Sequence, residues 1–117
     1  MSQIFFQAGD FPLVPLGDGS YSRRLLAAGG GLMLGEMEFE AGSTSAVHAH
    51  EEEQLTYCVS GEFEASVGGQ TKTLKPGDSF VAGRGVPHGA RCLVAGRLLH
   101  AFTPQRDEYF KGAPAAK

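Results

Sequence analysis

The stretch Gln54-Leu55-Thr56-Tyr57-Cys58-Val59-Ser60-Gly61-Glu62-Phe63-Glu64-Ala65-Ser66-Val67-Gly68-Gly69-Gln70 decides the fold class. Leu55, Tyr57 and Val59 alternate with Gln54, Thr56 and Cys58; beyond Ser60-Gly61, Phe63, Ala65 and Val67 alternate with Glu62, Glu64 and Ser66. A period of two belongs to a strand, whose successive side chains point to opposite faces. Ser60-Gly61 and Gly68-Gly69-Gln70 are turn-forming pieces, so the stretch reads as two strands joined by one turn and closed by another. The pattern continues outward. From Leu32 to Glu40, Met33, Met37 and Phe39 take one parity and Glu36, Glu38 and Glu40 the other, which predicts a strand with one wet face. Gly17-Asp18-Gly19 and Gly29-Gly30-Gly31 set off Tyr21 to Ala27 as another strand, and further turns are expected at Lys75-Pro76-Gly77-Asp78, Gly83-Arg84-Gly85 and Ala95-Gly96. Seventeen glycines punctuating such short alternations favour a small all-β sandwich or barrel.

A chain of 117 residues suits one domain, and 42% hydrophobic with 20% charged residues is enough to build its own core. We expect that domain over residues 1–110, with a flexible tail at 111–117. Ten Lys and Arg against thirteen Asp and Glu give a net charge of −3, which offers no attractive field to nucleic acid or to an anionic membrane. Met1-Ser2-Gln3 carries no basic segment ahead of an apolar run, and no window reaches the roughly 18 apolar residues of a bilayer span. The expectation is a cytoplasmic protein with neither nucleic acid nor membrane as partner. Cys58 and Cys92 are too few for a disulfide framework and lack CxxC spacing; they read as small core residues in a reducing compartment.

Three of the four histidines form a pattern, His48-Ala49-His50 followed by His88. On a strand, residues i and i+2 share a face, so His48 and His50 would present two imidazoles to one space. Gln54 follows across the acidic turn Glu51-Glu52-Glu53, and His88 opens a later strand after Gly85-Val86-Pro87. Such a set leaves open positions on an ion, as a catalytic metal requires and a structural zinc site does not. Taken alone, an HxH pair is more often two surface histidines. Glu53 competes with Gln54 as the oxygen donor, although a shift of one residue turns the side chain to the other face of a strand.

The frame around the histidines narrows the choice. Gly42-x5-His48-x-His50-x3-Gln54-x6-Gly61 resembles the first signature motif of the cupin superfamily, with Gln54 where Glu is usual. Gly77-x5-Gly83-x-Gly85-x2-His88-x3-Cys92 resembles the second, with Gly83 for Pro and Cys92 for Asn. The resemblance implies a single-domain, RmlC-like jelly-roll β-barrel of two antiparallel sheets that forms a homodimer. It further implies one divalent metal ion (Zn, Ni, Mn, Fe or Co) inside the barrel mouth, on His48, His50, Gln54 and His88. A neutral glutamine leaves the full +2 on the ion, which favours Lewis-acid work over redox cycling with dioxygen.

Further segments are similar to one small group of cupins, the pectin-degradation proteins of the KdgF type. These are Gln54-Leu55-Thr56-Tyr57, Ser60-Gly61-Glu62-Phe63-Glu64, Pro76-Gly77-Asp78-Ser79, Val86-Pro87-His88-Gly89 and Phe102-Thr103-Pro104-x-Arg106, together with Ser22-Arg23-Arg24 and Gly30-Gly31-Leu32-Met33. This resemblance implies a metal-dependent isomerase or lyase-like enzyme acting on a small acidic sugar. The group opens the ring of 4,5-unsaturated monouronates, from pectin and alginate breakdown, to a linear keto form. In that group an Asp, a Phe and an Arg on and after the last strand are functional. Phe102 and Arg106 match as substrate-binding residues, Arg106 being also catalytic by neutralising the carboxylate. His100 stands at the Asp position, on the face of Phe102; it preserves acid–base chemistry while removing a negative charge beside the metal. Arg23 or Arg84 could equally meet a carboxylate or lie in a solvated loop or strand edge. Two other classes stay open: a dioxygenase or polyketide-cyclase-like cupin, and a non-enzymatic cupin that binds metal or sugar.

Overall fold

The computed structural model describes residues 3–110 of the chain, so the expected tail at 111–117 lies outside the described residues. Eight strands succeed one another: β1 (Val14–Leu16), β2 (Tyr21–Ala28), β3 (Met33–Phe39), β4 (Thr44–His48), β5 (Glu53–Val67), β6 (Gln70–Leu74), β7 (Ser79–Ala82) and β8 (His88–Thr103). A short 3-10 helix, Asp107–Phe110, ends the described chain. Among the described residues no helix is long and apolar enough to cross a membrane.

All pairings are antiparallel, and β5 and β8 organise them. The first half of β5 and the second half of β8 join β1, β2, β3 and β7 in one layer, while their other halves join β4 and β6 in a second. Side chains from both layers meet in one core of Phe39, Cys58, Phe63, Leu74, Cys92 and Leu98. Both cysteines are free and buried there, as expected, and burial pushes both thiols up, away from reactivity. Leu25, Met33, Phe102 and Tyr109 form a second buried cluster.

Two expected turns are not turns. β5 runs straight through Ser60-Gly61 and β8 through Ala95-Gly96, because the two segments face each other as bulges: Cys58 is opposite Leu98 and Phe63 opposite Cys92, with the register shifting between. Each strand bends there and passes from one layer to the other without breaking its pairing. The backbones touch at this crossing. Gly61 has φ of +79°, and a Cβ on it would collide with the carbonyl oxygen of Val94; a Cβ on Gly96 would collide with that of Ser60. Ser-Gly and Ala-Gly suit a turn and a bulge alike, so local composition does not separate the two. Gly96→Ala should therefore destabilise the fold by about 2–3 kcal/mol, as overpacking against backbone does. Urea denaturation checks this, and an unmoved midpoint would refute the close crossing.

The parity of β5 holds, but its polarity runs opposite to a hydrophobic-inside rule. Gln54, Thr56 and Cys58 point inward and are buried, whereas Leu55 is 57% and Tyr57 45% exposed. Tyr57 lies opposite Gln54 as expected and yet does not pack into this core. The outer side of β3 is not uniformly wet either. Glu36 is buried there because Arg97 Nη1 donates to its carboxylate at 2.8 Å and covers it.

Candidate functional site

The end of β4, the start of β5 and the start of β8 meet at one mouth of the barrel. His48 is the cross-strand partner of His88, and their rings lie 4.7 Å apart; the His50 ring is 5.4 Å from His48 and 4.7 Å from His88. The ligating atoms of the three histidines all fall within 4.8 Å of one another. The expected geometry of the pair needs one correction. β4 stops at His48, so His50 stands beyond the strand and is aimed instead by its own local contact. Gln54, buried on the inner face of β5, completes the group with Oε1 3.1 Å from Nε2 of both His50 and His88. Glu53 is exposed and on the opposite face, which removes it as the rival donor.

The protons of this cluster are set by its hydrogen bonds. His48 Nδ1 is 3.0 Å from the carbonyl oxygen of Ala46, His50 Nδ1 is 2.8 Å from that of Glu52, and His88 Nδ1 is 2.9 Å from that of Val86. A carbonyl only accepts, so each Nδ1 carries a hydrogen and donates it, and a neutral ring then has its lone pair on Nε2. Burial holds His50 and His88 below the ordinary imidazole range, with the nearby Arg106 charge adding to the effect at His50.

The Gln54 amide is fixed in its turn. Its Nε2 donates to Thr56 Oγ1 at 2.8 Å and to His100 Nδ1 at 3.1 Å, which leaves Oε1 facing the histidines. Lone pairs of nitrogen and oxygen thus converge on one point with no hydrogen between them. That donor set fits a divalent cation, which converts mutual repulsion into coordination.

His100 and Phe102 share the inner face of β8 as expected, with ring centroids 5.8 Å apart. His100 Nδ1 also lies 2.8 Å from Thr56 Oγ1. Nδ1 is thus within hydrogen-bond reach of both the Gln54 amide and the Thr56 hydroxyl, while Nε2 is a buried atom without a partner among the described residues. Burial, followed by the charges of His88 and Arg106, brings its pKa down to about 3, so the ring is neutral at pH 7. The ring is thus anchored along its Nδ1 edge by Gln54 and Thr56.

Phe102 is 2% exposed and meets the His50 ring edge-on and the His100 and Tyr109 rings at a tilt, while the Arg106 guanidinium lies 5.5 Å from its centroid. Arg106 follows the last strand, reaches Glu108 Oε2 from Nη2 at 3.1 Å and lies 3.7 Å from Glu52 through Nε. A cavity of about 40 Å3, walled by Gln54, His88, His100 and Phe102, opens beside a cleft of about 550 Å3; His48, Arg106 and Tyr109 belong to both. The cleft is of the size that small ligands occupy.

Of the two other arginines weighed, Arg84 is a solvated loop residue, whereas Arg23 lines the cleft. Sequence reasoning missed Thr56, Glu108 and Tyr109. Thr56 shares the parity of Gln54 and was legible in that alternation. The Tyr109 ring closes on β3 where Gly35 has no side chain, a contact between distant segments that leaves no local signal.

Comparison with known proteins adds four findings. The model of the cupin domain matches residues 35–101. The pectin degradation protein KdgF of Dickeya dadantii (strain 3937) is 30% identical over 107 residues, 90% of this chain and 96% of that protein. An RmlC-like cupin from Shewanella frigidimarina NCIMB 400 superposes with a TM-score of 0.85 at 35% identity, over 92% of this chain and 96% of the other. The structure of KdgF from Halomonas sp. superposes with a TM-score of 0.84 at 30% identity, over 92% and 98%.

Proposed function

The chain belongs to the cupin domain family, and from that premise we propose that it is a metal-dependent enzyme that opens the ring of 4,5-unsaturated monouronates, or of a related acidic sugar from polyuronate breakdown. The observation that carries this reading is the joining of a cation-seeking donor set, beside an inner cavity walled by Phe102, to a cleft walled by Arg106. A bare metal store would need no such cleft.

His48, His50, Gln54 and His88 would hold the ion, which when bound supplies Lewis acidity to polarise sugar oxygens. Arg106 neutralises the sugar carboxylate with a planar, permanently charged fork. Phe102 gives the ring an apolar surface and keeps water from the inner cavity. As the anomeric hydroxyl gives up its proton and becomes a carbonyl, the bond between the anomeric carbon and the ring oxygen breaks and leaves an enolate oxygen next to the carboxylate; return of the proton to the adjacent alkene carbon, C4, gives the keto form. With Nδ1 accepting from the Gln54 amide, His100 would hold its hydrogen at Nε2, available to donate to that charge from a buried position where donors act strongly. Nuclear magnetic resonance of a lyase-generated 4,5-unsaturated monouronate incubated with the metal-loaded protein should show the ring form giving way to the open keto form. An unchanged spectrum would shift the assignment to a dioxygenase-like or binding cupin.

The homodimer is proposed on a separate observation. The outer face of the larger layer sets Val81, Leu55, Ala101 and Leu34 in one row across β7, β5, β8 and β3, with Tyr57 and Leu99 beside them. Val81 and Leu55 are each more than half exposed, and an apolar row of this extent is typical of a covered face. Leu55→Arg should convert a dimer to a monomer in light scattering. A parent that is already monomeric would contradict the assignment.

A further inference from the structure

At the outer rim of the cleft, two arginines share one carboxylate of the chain itself. Glu108 Oε2 is 3.1 Å from Arg106 Nη2 and 3.7 Å from Arg23 Nη1. The cations are more buried than the anion between them: the Arg23 and Arg106 side chains are 16% and 13% exposed, that of Glu108 55%. Arg23 is held in place by donating from Nη2 to the Glu108 carbonyl oxygen at 2.8 Å and by lying 4.9 Å above the Tyr109 ring. Its Nε is buried and has no partner among the described residues. Glu52, a second carboxylate at the rim, is engaged with other partners, its Oε1 lying 3.7 Å from Arg106 Nε and 3.4 Å from His50 Nδ1. A buried N–H left unmade costs free energy, and a fixed guanidinium with a free Nε is a ready donor to a planar carboxylate.

We propose that Arg23 and Arg106 together form the carboxylate subsite, and that Glu108 occupies it as an internal competitor which an incoming monocarboxylate displaces. The proposal rests on the uronate-opening reading for its substrate class and assigns two residues that reading leaves without a role. Displacement is geometrically simple. Glu108 lies on the solvent side of the arginines, so its carboxylate can turn into water while its backbone carbonyl and Tyr109 continue to hold Arg23. The incoming carboxylate gains the Arg23 Nε donor that Glu108 does not use. Acids able to reach both arginines are selected over neutral sugars of the same shape, which cannot compete with Glu108.

Calorimetric titration of the metal-loaded chain with galacturonate, galactose and pyruvate tests this. Glu108→Gln should tighten both acids roughly 2- to 5-fold, the worth of a partly exposed ion pair, without improving galactose. Arg23→Gln should weaken both acids about 10-fold or more while metal content stays at the parent level, and Arg23→Lys should restore only part of the loss. Glu64→Gln, a charge removal on the exposed side of β5, should change nothing and separates a local effect from the general field. Unchanged or weaker acid binding in Glu108→Gln, or equal tightening in Glu64→Gln, overturns the proposal. The two readings fail separately. If galacturonate binds no better than pyruvate but both respond to Glu108→Gln, the subsite stands and the uronate assignment falls. If galacturonate binds well and ignores Glu108→Gln, the subsite as described falls and the uronate assignment survives.

Discussion

The His48→Ala, His50→Ala double variant should retain less than about a tenth of the roughly one divalent ion per chain expected of the parent by elemental analysis. The donor atoms of the three histidines and Gln54 lie close together, so what would hold the ion is their joint lone pairs. Removing two nitrogens leaves Gln54 Oε1 and His88 Nε2, too few for a transition-metal site. The loss should not be an unfolding effect. His48 is exposed and ends β4, His50 stands beyond it, and neither belongs to the buried clusters. Circular dichroism of the variant should match the parent. Metal retained at parent level would place the ion elsewhere and dissolve the site assignment.

His100→Ala should lower metal affinity by roughly 10- to 100-fold, the usual worth of a residue that orients a metal ligand. The Gln54 amide faces the histidines with its oxygen because its nitrogen donates to Thr56 and His100. Without His100, one of those donations is lost inside a buried cavity, and the amide gains by rotating toward other partners. His100→Asp separates orientation from bulk. A carboxylate at this position accepts from both Gln54 Nε2 and Thr56 Oγ1, so it should hold metal affinity near the parent value while activity changes, since it brings a charge and no Nε2 hydrogen. Equal metal loss in both variants would mean that His100 only fills space beside Phe102.

How much of this was legible in the sequence depends on the range of the forces involved. Alternation is local, so the strand around Gln54 and its inward parity were readable from the residues themselves. The bulges at Ser60-Gly61 and Ala95-Gly96 were not, because what makes each of them a bend rather than a turn is the backbone of the other, about 35 residues away. The histidine set was legible through motif spacing, whereas the pairing of His88 with His48 across β4 and β8 emerges only in the folded sheet. Tautomer and amide orientation were not legible, since they follow from carbonyls of Ala46, Glu52 and Val86 whose direction only the folded backbone fixes. The same holds for His100. Its parity showed that it faces inward, but the anchoring of its Nδ1 edge follows from a contact with a residue 46 positions earlier. Arg23 and Arg84 were equivalent as sequence and are separated only by the packing of Tyr109 against Gly35, which brings Glu108 to the first and nothing to the second.

The central claim, Lewis-acid opening of an unsaturated uronate at this site, is tested most directly by ultraviolet absorbance under anaerobic conditions with a redox-inert divalent metal. Opening the ring removes the conjugated double bond of a 4,5-unsaturated monouronate, so the absorbance should fall at the same rate with and without dioxygen. Arg106→Ala should slow that fall roughly 100-fold. Absorbance that persists with fully loaded protein, or that falls only when iron and dioxygen are both supplied, would contradict the account.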